Sequence, residues 1–477
     1  MTATTPTRAG LLALCLLATL APVPADAPWT PDPTNPQLRG AFWSHDAWND
    51  PCVLRVDDGY WMYLSTNYED PSREDPVRIH RATSPDGLDW DVDPVPVLEP
   101  SSFPLAFDYT KVETPSVIRF GGRWHMYYCG ISDLVGLYQI GHATSDDGIH
   151  FTKDPANPVL SRDDIEDAGI VWHVCEPGVI EWNGKMRVYF SISAVRGAGG
   201  PPSRFTIYYA DTADGTNFET PVRVLDQTPA WPARDRYAGY STPAAMVAGG
   251  KVRLFYDVYR WTPESTISEY HHVALVQASS ADGEHFVEEC RIFPRGAEPW
   301  TAREVRSPSP LDEGDRFRLW YAGDDYRFDE NEGWQGGTGI GVAEAAVNLY
   351  DDGDGDDMLD ACDCAPTDAT AFRVPWELQR FRFDPDKKTL RWSSAAPDAG
   401  SGTVHDLLRG RVADLASQGI AGGSCLVRDL VDDRYEDPDT PAPGRAFWYL
   451  GRGRNACGGG SLGVSSAGEE RQSSACD

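Results

Sequence analysis

Apolar and polar residues alternate along most of the chain, and the alternation recurs in units that share one plan. Each unit begins with a polar residue before a proline, continues as an apolar run, turns at a glycine and ends in an alternating strand rich in aromatic residues. The copies are NDPCVLRVDDGYWMYLS, ETPSVIRFGGRWHMYYC, CEPGVIEWNGKMRVYF, STPAAMVAGGKVRLFYD and RSPSPLDEGDRFRLWYA, with prolines at 51, 115, 177, 243 and 308. Period-two alternation around a glycine turn predicts a β-hairpin in every copy.

An Asp-Gly turn follows a further alternating strand in four of the five copies. The turns are TSPDGLDW, TSDDGIHF, DTADGTNF and SSADGEHF, which begin at residues 83, 144, 211 and 279. Four strands per copy, repeated along the chain, predict an all-β fold with a five-bladed β-propeller over residues 41–347. The fifth copy lacks the Asp-Gly turn, so we expect residues 38–43 to pair with it and close the ring.

The first residues form an apolar segment without alternation. Residues 1–27 contain one arginine, the run LLALCLLATLAPV and the small residues Ala25 and Ala27 around a possible cleavage site. These features predict a secretory signal peptide, and therefore a secreted or cell-surface protein. Residues 28–40 are expected to form a linker. No other stretch has eighteen consecutive apolar residues, so no membrane span is expected.

The composition changes to Asp, Gly and Cys in residues 348–373. Five acidic residues stand at positions 1, 3, 5, 9 and 12 of a loop: Asp352, Asp354, Asp356, Asp360 and Asp363. This spacing of oxygen ligands predicts a structural Ca²⁺ ion, and a solvated acidic linker is the alternative. The segment resembles a thrombospondin type 3 repeat, except that Asp357 stands where that repeat has glycine.

Residues 374–477 return to short alternating segments separated by turn residues, which predicts a small β-sandwich. With Trp392 in an early strand and Tyr449 in a late one, the segment resembles a fibronectin type III domain, a module that binds or spaces rather than catalyses. We expect one disulfide among Cys425, Cys457 and Cys476. Nine cysteines follow the signal peptide, and this odd number leaves at least one free.

Net charge and motif searches narrow the classes of partner. Acidic residues outnumber basic residues by 73 to 42, which gives a formal net charge of −31. Such a charge excludes a general binder of nucleic acid or of anionic lipid. No HExxH, CxxC or paired-histidine spacing occurs in the sequence, so nothing supports a catalytic zinc ion.

Acidic residues lead the repeated proline in the first three copies. In a propeller the innermost strands surround a central funnel, so we expect Asp50, Glu113 and Glu176 to converge there. Grouped carboxylates shift one another's pKa values, so that one stays protonated as a general acid while another is ionised as a base. Cleavage of a glycosidic bond needs this pair. The alternative is that these acids cap strands or pair with Arg303 and Arg306.

Aromatic and polar side chains flank the same positions and are candidates for substrate contacts. Aromatic rings there could stack on sugar faces, and histidine, asparagine and arginine could bind hydroxyl groups. Each such residue alone is more often structural than functional. The predicted substrate-binding residues are His45, Trp48, Asn49, Trp172, His173, Tyr240 and Arg306.

Five units of about 65 residues, the Asn49-Asp50-Pro51 motif and an acid before proline in units two and three resemble the five-bladed furanosidase superfamily, which includes glycoside hydrolase families 43 and 32. The resemblance implies that Asp50 is the general base, or the nucleophile in a retaining enzyme. It implies that Glu113 is the carboxylate that tunes the pKa of the general acid and orients it, and that Glu176 is the general acid. The acid of the family stands two residues before its proline, as Glu113 does, so the acid role stays open between Glu113 and Glu176.

The signal peptide and the resemblance together predict a secreted glycoside hydrolase, inverting unless Asp50 is a nucleophile, that acts as a monomer on an oligo- or polysaccharide containing arabinose, xylose or fructose. A non-catalytic extracellular propeller that binds carbohydrate or protein is the alternative, since a fold does not by itself imply an activity. A six-bladed sialidase is a third, weaker hypothesis, because the sequence contains five repeats and no evident arginine triad.

Overall fold

A computed structural model describes residues 28–41, 47–66, 76–132, 136–166, 170–195, 204–225, 239–260, 271–329, 332–375, 377–463, 471 and 473–476. The predicted signal peptide and His45 lie outside the described residues. The described chain is built almost wholly of β-strands, so the all-β prediction is confirmed. No helix in this part of the chain has the length and apolarity that crossing a membrane requires.

Each repeat forms one antiparallel sheet, and a parallel bridge between Tyr138 and His173 joins the sheets of the second and third repeats into one eight-stranded sheet. Two short strands precede the repeats, β1 (Thr30–Pro31) and β2 (Leu38–Ala41). The first sheet contains β3 (Trp48–Val56), β4 (Gly59–Thr66), β5 (Ile79–Ser84) and β6 (Asp91–Val92). The second contains β7 (Lys111–Phe120), β8 (Arg123–Ser132), β9 (Leu137–Ser145) and β10 (Thr152–Lys153). The third contains β11 (Ile170–Trp182), β12 (Lys185–Val195), β13 (Arg204–Thr212) and β14 (Val222–Leu225).

The fourth sheet contains β15 (Gly239–Ala248), β16 (Lys251–Arg260), β17 (His271–Ser280) and β18 (Val287–Pro294). The fifth repeat gives β19 (Glu304–Asp312), β20 (Arg316–Asp324), a hairpin of β21 (Arg327–Asp329) and β22 (Gly333–Gln335), and β23 (Gly337–Ala346). Single-turn 3₁₀ helices occupy Arg162–Asp164 and Pro299–Thr301. Strand order follows the sequence within the sheets, as hairpin connections require.

The first strands of the sheets contact one another in a cycle. β3 contacts β7, β7 contacts β11, β11 contacts β15, β15 contacts β19, and β19 returns to β3. Apolar side chains fill the space between neighbouring sheets, for example Tyr63 and Ile79 of the first sheet with Val117 and Met126 of the second. The five repeats therefore surround a common axis on which their first strands meet.

The N-terminal strands complete the fifth sheet. β2 pairs with β23, with Leu38 opposite Ile340, and β1 pairs with the same strand. The predicted pairing of residues 38–43 is confirmed over 38–41, and residues 42–43 lie outside the described chain. The prediction of a linker at 28–40 is wrong, because Trp29 is 1% exposed in the core of the fourth and fifth sheets.

The Asp-Gly turns tie each sheet to its neighbour. Glycine is needed there because φ is positive, for example 74° at Gly148 and 75° at Gly283. A second-strand side chain of the adjacent sheet donates a hydrogen bond to the glycine carbonyl. These bonds are Tyr63 Oη to Gly148 O (2.7 Å), Tyr127 Oη to Gly215 O (3.1 Å), Tyr189 Oη to Gly283 O (2.8 Å) and Trp320 Nε1 to Gly87 O (3.0 Å).

The C-terminal region forms two small sheets with an apolar core between them. One has the order β24 (Gln379–Phe383), β25 (Thr389–Ser393), β28 (Arg434–Glu436). The other has the order β27 (Ser424–Leu430), β26 (Val404–Arg411), β29 (Phe447–Asn455), β30 (Gly458–Gly459). Short helices lie at α1 (Ala396–Ala399) and α2 (Leu415–Gln418), and 3₁₀ turns at Val412–Asp414 and Gly419–Gly422. Trp392 packs in this core, as expected of a sandwich.

Four disulfides in the described chain join residues that are distant in sequence. They pair Cys129 with Cys175, Cys290 with Cys362, Cys364 with Cys457, and Cys425 with Cys476. One disulfide therefore forms within the expected C-terminal set, while Cys457 instead reaches the acidic segment. Cys52 is the free cysteine in the described part of the chain.

Candidate active site

Each first strand bends at its repeated proline, where the pairing with the second strand skips two residues. The residue directly before the proline takes a left-handed φ in all five sheets, from 45° to 58°: Asp50, Thr114, Glu176, Thr242 and Ser307. This conformation is costly for a residue other than glycine, and such strain concentrates at functional sites. The five bends line one axial pocket, formed by residues 50–52, 114–116, 176–178, 242–244 and 307–309.

Small residues after the prolines lock the sheets together around this pocket. Ser309 Oγ accepts a hydrogen bond from Val53 N (2.9 Å), and Ser116 Oγ accepts one from Val179 N (2.9 Å). At Gly178 a Cβ atom would lie 2.1 Å from the carbonyl oxygen of Pro243, so only glycine fits. The pocket wall is therefore held by bonds between sheets as well as within them.

Asp50 of the first sheet enters the pocket with both carboxylate oxygens bonded. Its Oδ2 accepts a hydrogen bond from Ser65 Oγ (2.6 Å) on the neighbouring strand. Its Oδ1 accepts one from Ser307 Oγ (2.8 Å) on the fifth sheet. The side chain is 8% exposed. Two hydroxyl donors fix the orientation of this carboxylate and leave further lone pairs to accept a proton.

Glu176 of the third sheet enters the same pocket with an asymmetric set of partners. Its Oε2 accepts hydrogen bonds from Ser191 Oγ, Ser241 Oγ (2.7 Å) and Thr242 N (2.9 Å). No described residue bonds Oε1. Burial, and then the charge of Asp257, raise the pKa of Glu176, although its hydrogen bonds oppose this. Glu176 thus keeps a proton at a higher pH than an ordinary glutamic acid, with one oxygen available to deliver it.

Glu113 does not line the pocket with Asp50 and Glu176. Thr114 directly precedes Pro115 and takes the place in the second sheet that the acids take in the first and third. Glu113 instead lies 3.6 Å from Lys111 Nζ. The expectation that Glu113 occupies the same position as the other two acids is therefore wrong. Asp50 and Glu176 stand directly before their prolines, whereas Glu113 stands two residues before Pro115.

Three of the predicted substrate-binding residues have buried or packed side chains. Tyr240 is 2% exposed and packs edge-on against Tyr256, so its ring offers no open face to a sugar. Arg306 is 7% exposed, and its Nη1 binds Glu304 (2.9 Å) and Asp324 (2.5 Å). Trp48 packs edge-on against His80. The prediction of direct substrate contact is wrong for Tyr240 and Arg306, whose polar or aromatic groups are already enclosed.

The other described contact candidates are one exposed and two half-buried residues. Trp172, at the start of β11, is 48% exposed. His173 packs edge-on against Tyr138, and burial, then the charge of Lys111, lower its pKa. Asn49 is half-buried, and its Oδ1 is buried without a hydrogen-bond partner among the described residues. Trp172 is the residue of this group with an aromatic face open to solvent.

Asp257 is an acid near the pocket that the sequence interpretation missed. It lies on β16, is fully buried, and accepts a hydrogen bond from Thr242 Oγ1. The sequence carries a signal for it, because Asp257 follows Thr242 by 15 residues, as Ser65 follows Asp50 and Ser191 follows Glu176. Comparing second strands at this offset would have found a carboxylate where other repeats have small residues.

The acidic segment brings its carboxylates together without enough donors. Oxygens of Asp352, Asp354 and Asp356 lie within 4.8 Å of one another. Both carboxylate oxygens of Asp354, Oδ2 of Asp356 and Oδ2 of Asp363 are buried without a hydrogen-bond partner in the described chain. Asp357 has φ 70°, so it adopts the turn for which glycine is favoured. Disulfides at Cys362 and Cys364 hold the backbone on both sides of Asp363.

Comparison with known proteins gives distant structural similarities. No family model and no curated protein matches the chain. A thermostable family-43 glycoside hydrolase is 15% identical over 62% of this chain and 88% of its own, with TM-score 0.45. An α-L-arabinofuranosidase from Lactobacillus brevis is 15% identical over 65% of this chain and 92% of its own, with TM-score 0.45. Another glycoside hydrolase is 13% identical over 66% of this chain and 92% of its own, with TM-score 0.48. These similar structures are glycoside hydrolases, and all three TM-scores are below 0.5.

Proposed function

We propose that the chain is a secreted glycoside hydrolase built on a five-bladed β-propeller, which β1 and β2 close by pairing with β23. The observation that carries the proposal is the pocket at the axis, where Asp50 and Glu176 meet in different hydrogen-bonding environments. One acid retains a proton and presents a free oxygen, while the other is a fixed acceptor. This difference between two carboxyl groups is what acid–base cleavage of a glycosidic bond uses.

In this proposal Glu176 is the general acid. Its Oε1 gives a proton to the glycosidic oxygen as the bond to the anomeric carbon breaks. The three donors on Oε2 hold the carboxyl group in place and stabilise the carboxylate that remains. Glu113 has no part in the step, because it lies outside the pocket lining.

Asp50 is the general base. It removes a proton from a water molecule that attacks the anomeric carbon from the face opposite the leaving group, which inverts the configuration. The first and third sheets supply the two acids, and Thr114 of the second sheet lines the same pocket. Inversion requires a separation of about 6.5–9.5 Å between the carboxyl groups, the spacing that leaves room for water.

The proposed substrate is a neutral oligo- or polysaccharide that contains arabinose, xylose or fructose. The net charge of −31 disfavours polyanionic glycans. Trp172, which is 48% exposed, offers a face on which a sugar ring can stack. The test is hydrolysis of aryl arabinofuranosides, aryl xylosides, arabinan, xylan and fructans by the purified protein, with NMR of the first product. Release of a sugar of inverted configuration supports the proposal, and no release from any of them contradicts it.

A second candidate function is a non-catalytic carbohydrate-binding propeller. It is favoured by the small volume of the axial cavity, about 50 Å³, and by the use of both acids as ties between sheets. Titration calorimetry with the same glycans separates the candidates. Binding with micromolar affinity and no hydrolysis would support a binding protein, whereas turnover that depends on Glu176 would support the enzyme.

The acidic segment is proposed to hold one structural Ca²⁺ ion, as in a thrombospondin type 3-like repeat. The residues fit a hard cation, because four carboxylate oxygens of Asp354, Asp356 and Asp363 are buried and no described residue donates a hydrogen bond to them. Asp352 and Asp360 are the further proposed ligands, although each also accepts backbone hydrogen bonds. The ion would supply the missing positive charge and stiffen the connection to the C-terminal sheets.

The C-terminal region is proposed to be a fibronectin type III-like domain on a monomeric, exported protein. Its strand order, first–second–fifth in one sheet and fourth–third–sixth–seventh in the other, fits a seven-stranded sandwich. Trp392 lies in the second strand and Tyr449 in the sixth, where the hydroxyl of Tyr449 donates to Asp437 (2.7 Å). Four disulfides in the described chain suit an oxidising extracellular environment.

A further inference from the structure

We propose that Asp257 and His272 form a positioning pair that keeps the proton on Glu176, an inference that rests on the proposed function. Neither residue belongs to the pocket lining. Both lie in the fourth sheet, directly behind Thr242 and the bend of β15. They act through the geometry of that bend and through charge, and they do not touch the substrate.

The connection to Glu176 runs through a single residue. Thr242 donates its backbone N–H to Glu176 Oε2 (2.9 Å) and its hydroxyl to Asp257 Oδ2. The left-handed φ of Thr242, 45°, is held between the strand pairing on one side and Pro243 on the other. The two acids therefore lie on opposite sides of one rigid residue, close enough for the charge of Asp257 to act on Glu176.

The fourth repeat departs here from the others. At the same offset the first and third repeats have Ser65 and Ser191, which donate hydroxyl groups to Asp50 and Glu176. In the fourth repeat the hydrogen bond runs the other way: the first-strand residue Thr242 donates its hydroxyl, and the second-strand residue Asp257 accepts it. The repeat thus adds a fully buried acid next to the acid of the third sheet, where the first and third repeats have a neutral serine.

His272 makes that buried charge stable. Its Nδ1 lies 2.7 Å from Asp257 Oδ1. Burial lowers the pKa of His272, but the charge and hydrogen bond of Asp257 outweigh it and raise the pKa to about 9. His272 is consequently protonated at neutral pH and donates its Nδ1–H to Asp257. A buried carboxylate without such a partner would neutralise itself.

The other groups around Glu176 do not replace this pair. Asp50 faces it from the first sheet, and the neighbouring side chains of the second and third sheets, Thr114, Ser116 and Ser191, are neutral. Glu304 and Arg306 of the fifth sheet bind each other at 2.9 Å and act on His272 with opposite signs. After burial itself, the charge of Asp257 is the strongest influence that raises the pKa of Glu176.

The test is ¹³C NMR titration of the Glu176 carboxyl group in the full chain, labelled with [δ-¹³C]glutamate and assigned with Glu176→Gln. Asp257→Asn removes the charge, and Asp257→Ser installs the residue of the first and third repeats in case the amide does not fold. Both should lower the titration midpoint of Glu176, whereas Glu113→Gln should leave it unchanged. An unchanged midpoint in both Asp257 variants would overturn the inference.

Kinetics provide the second readout. Glu176 must be protonated to act, so kcat falls as pH rises through its pKa. In the Asp257 variants that alkaline limb should move to lower pH, with a tenfold loss of kcat above the limb for every unit of movement. A chain that hydrolyses no glycan but shows the shifted midpoint would refute the proposed function and not the pair. An active enzyme with no shift would refute the pair alone.

Discussion

Two groups of carboxylates in this chain have opposite surroundings. In the axial pocket, Asp50 accepts hydrogen bonds from two serines, and Glu176 accepts three bonds on one oxygen. In the segment from Asp352 to Asp363, four carboxylate oxygens are buried without a hydrogen-bond donor among the described residues. Each pocket acid is therefore held by several hydrogen bonds, whereas the segment has four carboxylate oxygens that no described residue satisfies.

This difference separates two kinds of chemistry. Donors that hold a carboxyl group in one orientation, with one oxygen left open, suit transfer of a proton to a defined point. Oxygens that converge without donors suit a cation, since a buried carboxylate with no partner costs several kcal/mol in order-of-magnitude terms. The number of acids in a cluster says less about function than the number of donors around each acid.

The largest effect is expected from Glu176→Gln, which keeps the shape of the side chain but removes the proton. Loss of a general acid reduces kcat on natural glycans by about 10²–10⁴-fold. The matched control is Glu113→Gln, which changes an acid outside the pocket and should cost less than about threefold. Steady-state rates on one polysaccharide, with circular dichroism to confirm folding, compare the two. A greater loss of kcat in the Glu113 variant than in the Glu176 variant would show that Glu113 is the general acid.

The next largest effect is expected from removal of Ca²⁺, which should change the stability of the protein rather than its turnover. A ligand present at 100 times its Kd stabilises a protein by about 2.7 kcal/mol, so chelation should lower the first calorimetric transition by several degrees. Asp354→Asn should reproduce the shift without chelator, because both oxygens of Asp354 lack donors. Asp432→Asn, an exposed acid elsewhere, is the control. Equal melting curves with and without chelator would show that the acidic segment holds no ion.

A smaller effect is expected at Trp172, the exposed aromatic residue of the proposed substrate contacts. Trp172→Ala should raise KM by about three- to tenfold with little change in kcat, since a stacking contact is worth about 0.5–1.5 kcal/mol. The comparison is Tyr240→Ala, which empties a buried site and should reduce the free energy of unfolding by about 3–5 kcal/mol. A lowered kcat in the Trp172 variant would argue against a role in binding alone.

The smallest effect is expected from Ser307→Ala. It removes one of the two donors to Asp50 and leaves Ser65 in place. One hydrogen bond contributes about 1 kcal/mol, so kcat should fall by about fivefold. Thermal unfolding of the variant distinguishes this loss of kcat from a general loss of stability. An unchanged kcat would contradict a catalytic role for the hydrogen bond from Ser307 to Asp50.

Much of the fold could be predicted because the signals are local and repeated. Alternation and glycine turns located the five hairpins, and the missing Asp-Gly turn of the fifth copy correctly implied pairing by residues 38–41. The prediction that Tyr240 contacts the substrate was wrong for a physical reason. The bend between Ser241 and Ala244 skips two residues in the pairing, so side chains before the proline cannot be assigned by continuing the alternation that follows it.

The candidate site was predicted in part. Asp50 and Glu176 share a pocket because they stand directly before their prolines, and Thr114, not Glu113, is their counterpart. Asp257 was missed because it lies on the second strand of its sheet, outside the repeated motif. The register between the first and second strands determines that it contacts Thr242. The disulfides from Cys290 and Cys457 to the acidic segment connect distant parts of the chain, which a sequence alone does not determine.

The dependence of rate on the leaving group tests the central claim most directly. A series of aryl glycosides of one sugar, with phenols of increasing pKa, should be cleaved by the wild type, Glu176→Gln and Asp50→Asn. If Glu176 delivers the proton, its variant should lose little kcat/KM on the best leaving group and progressively more on poorer ones, while the Asp50 variant should lose a similar factor on all of them. Equal losses across the series for Glu176→Gln would contradict its assignment as the general acid.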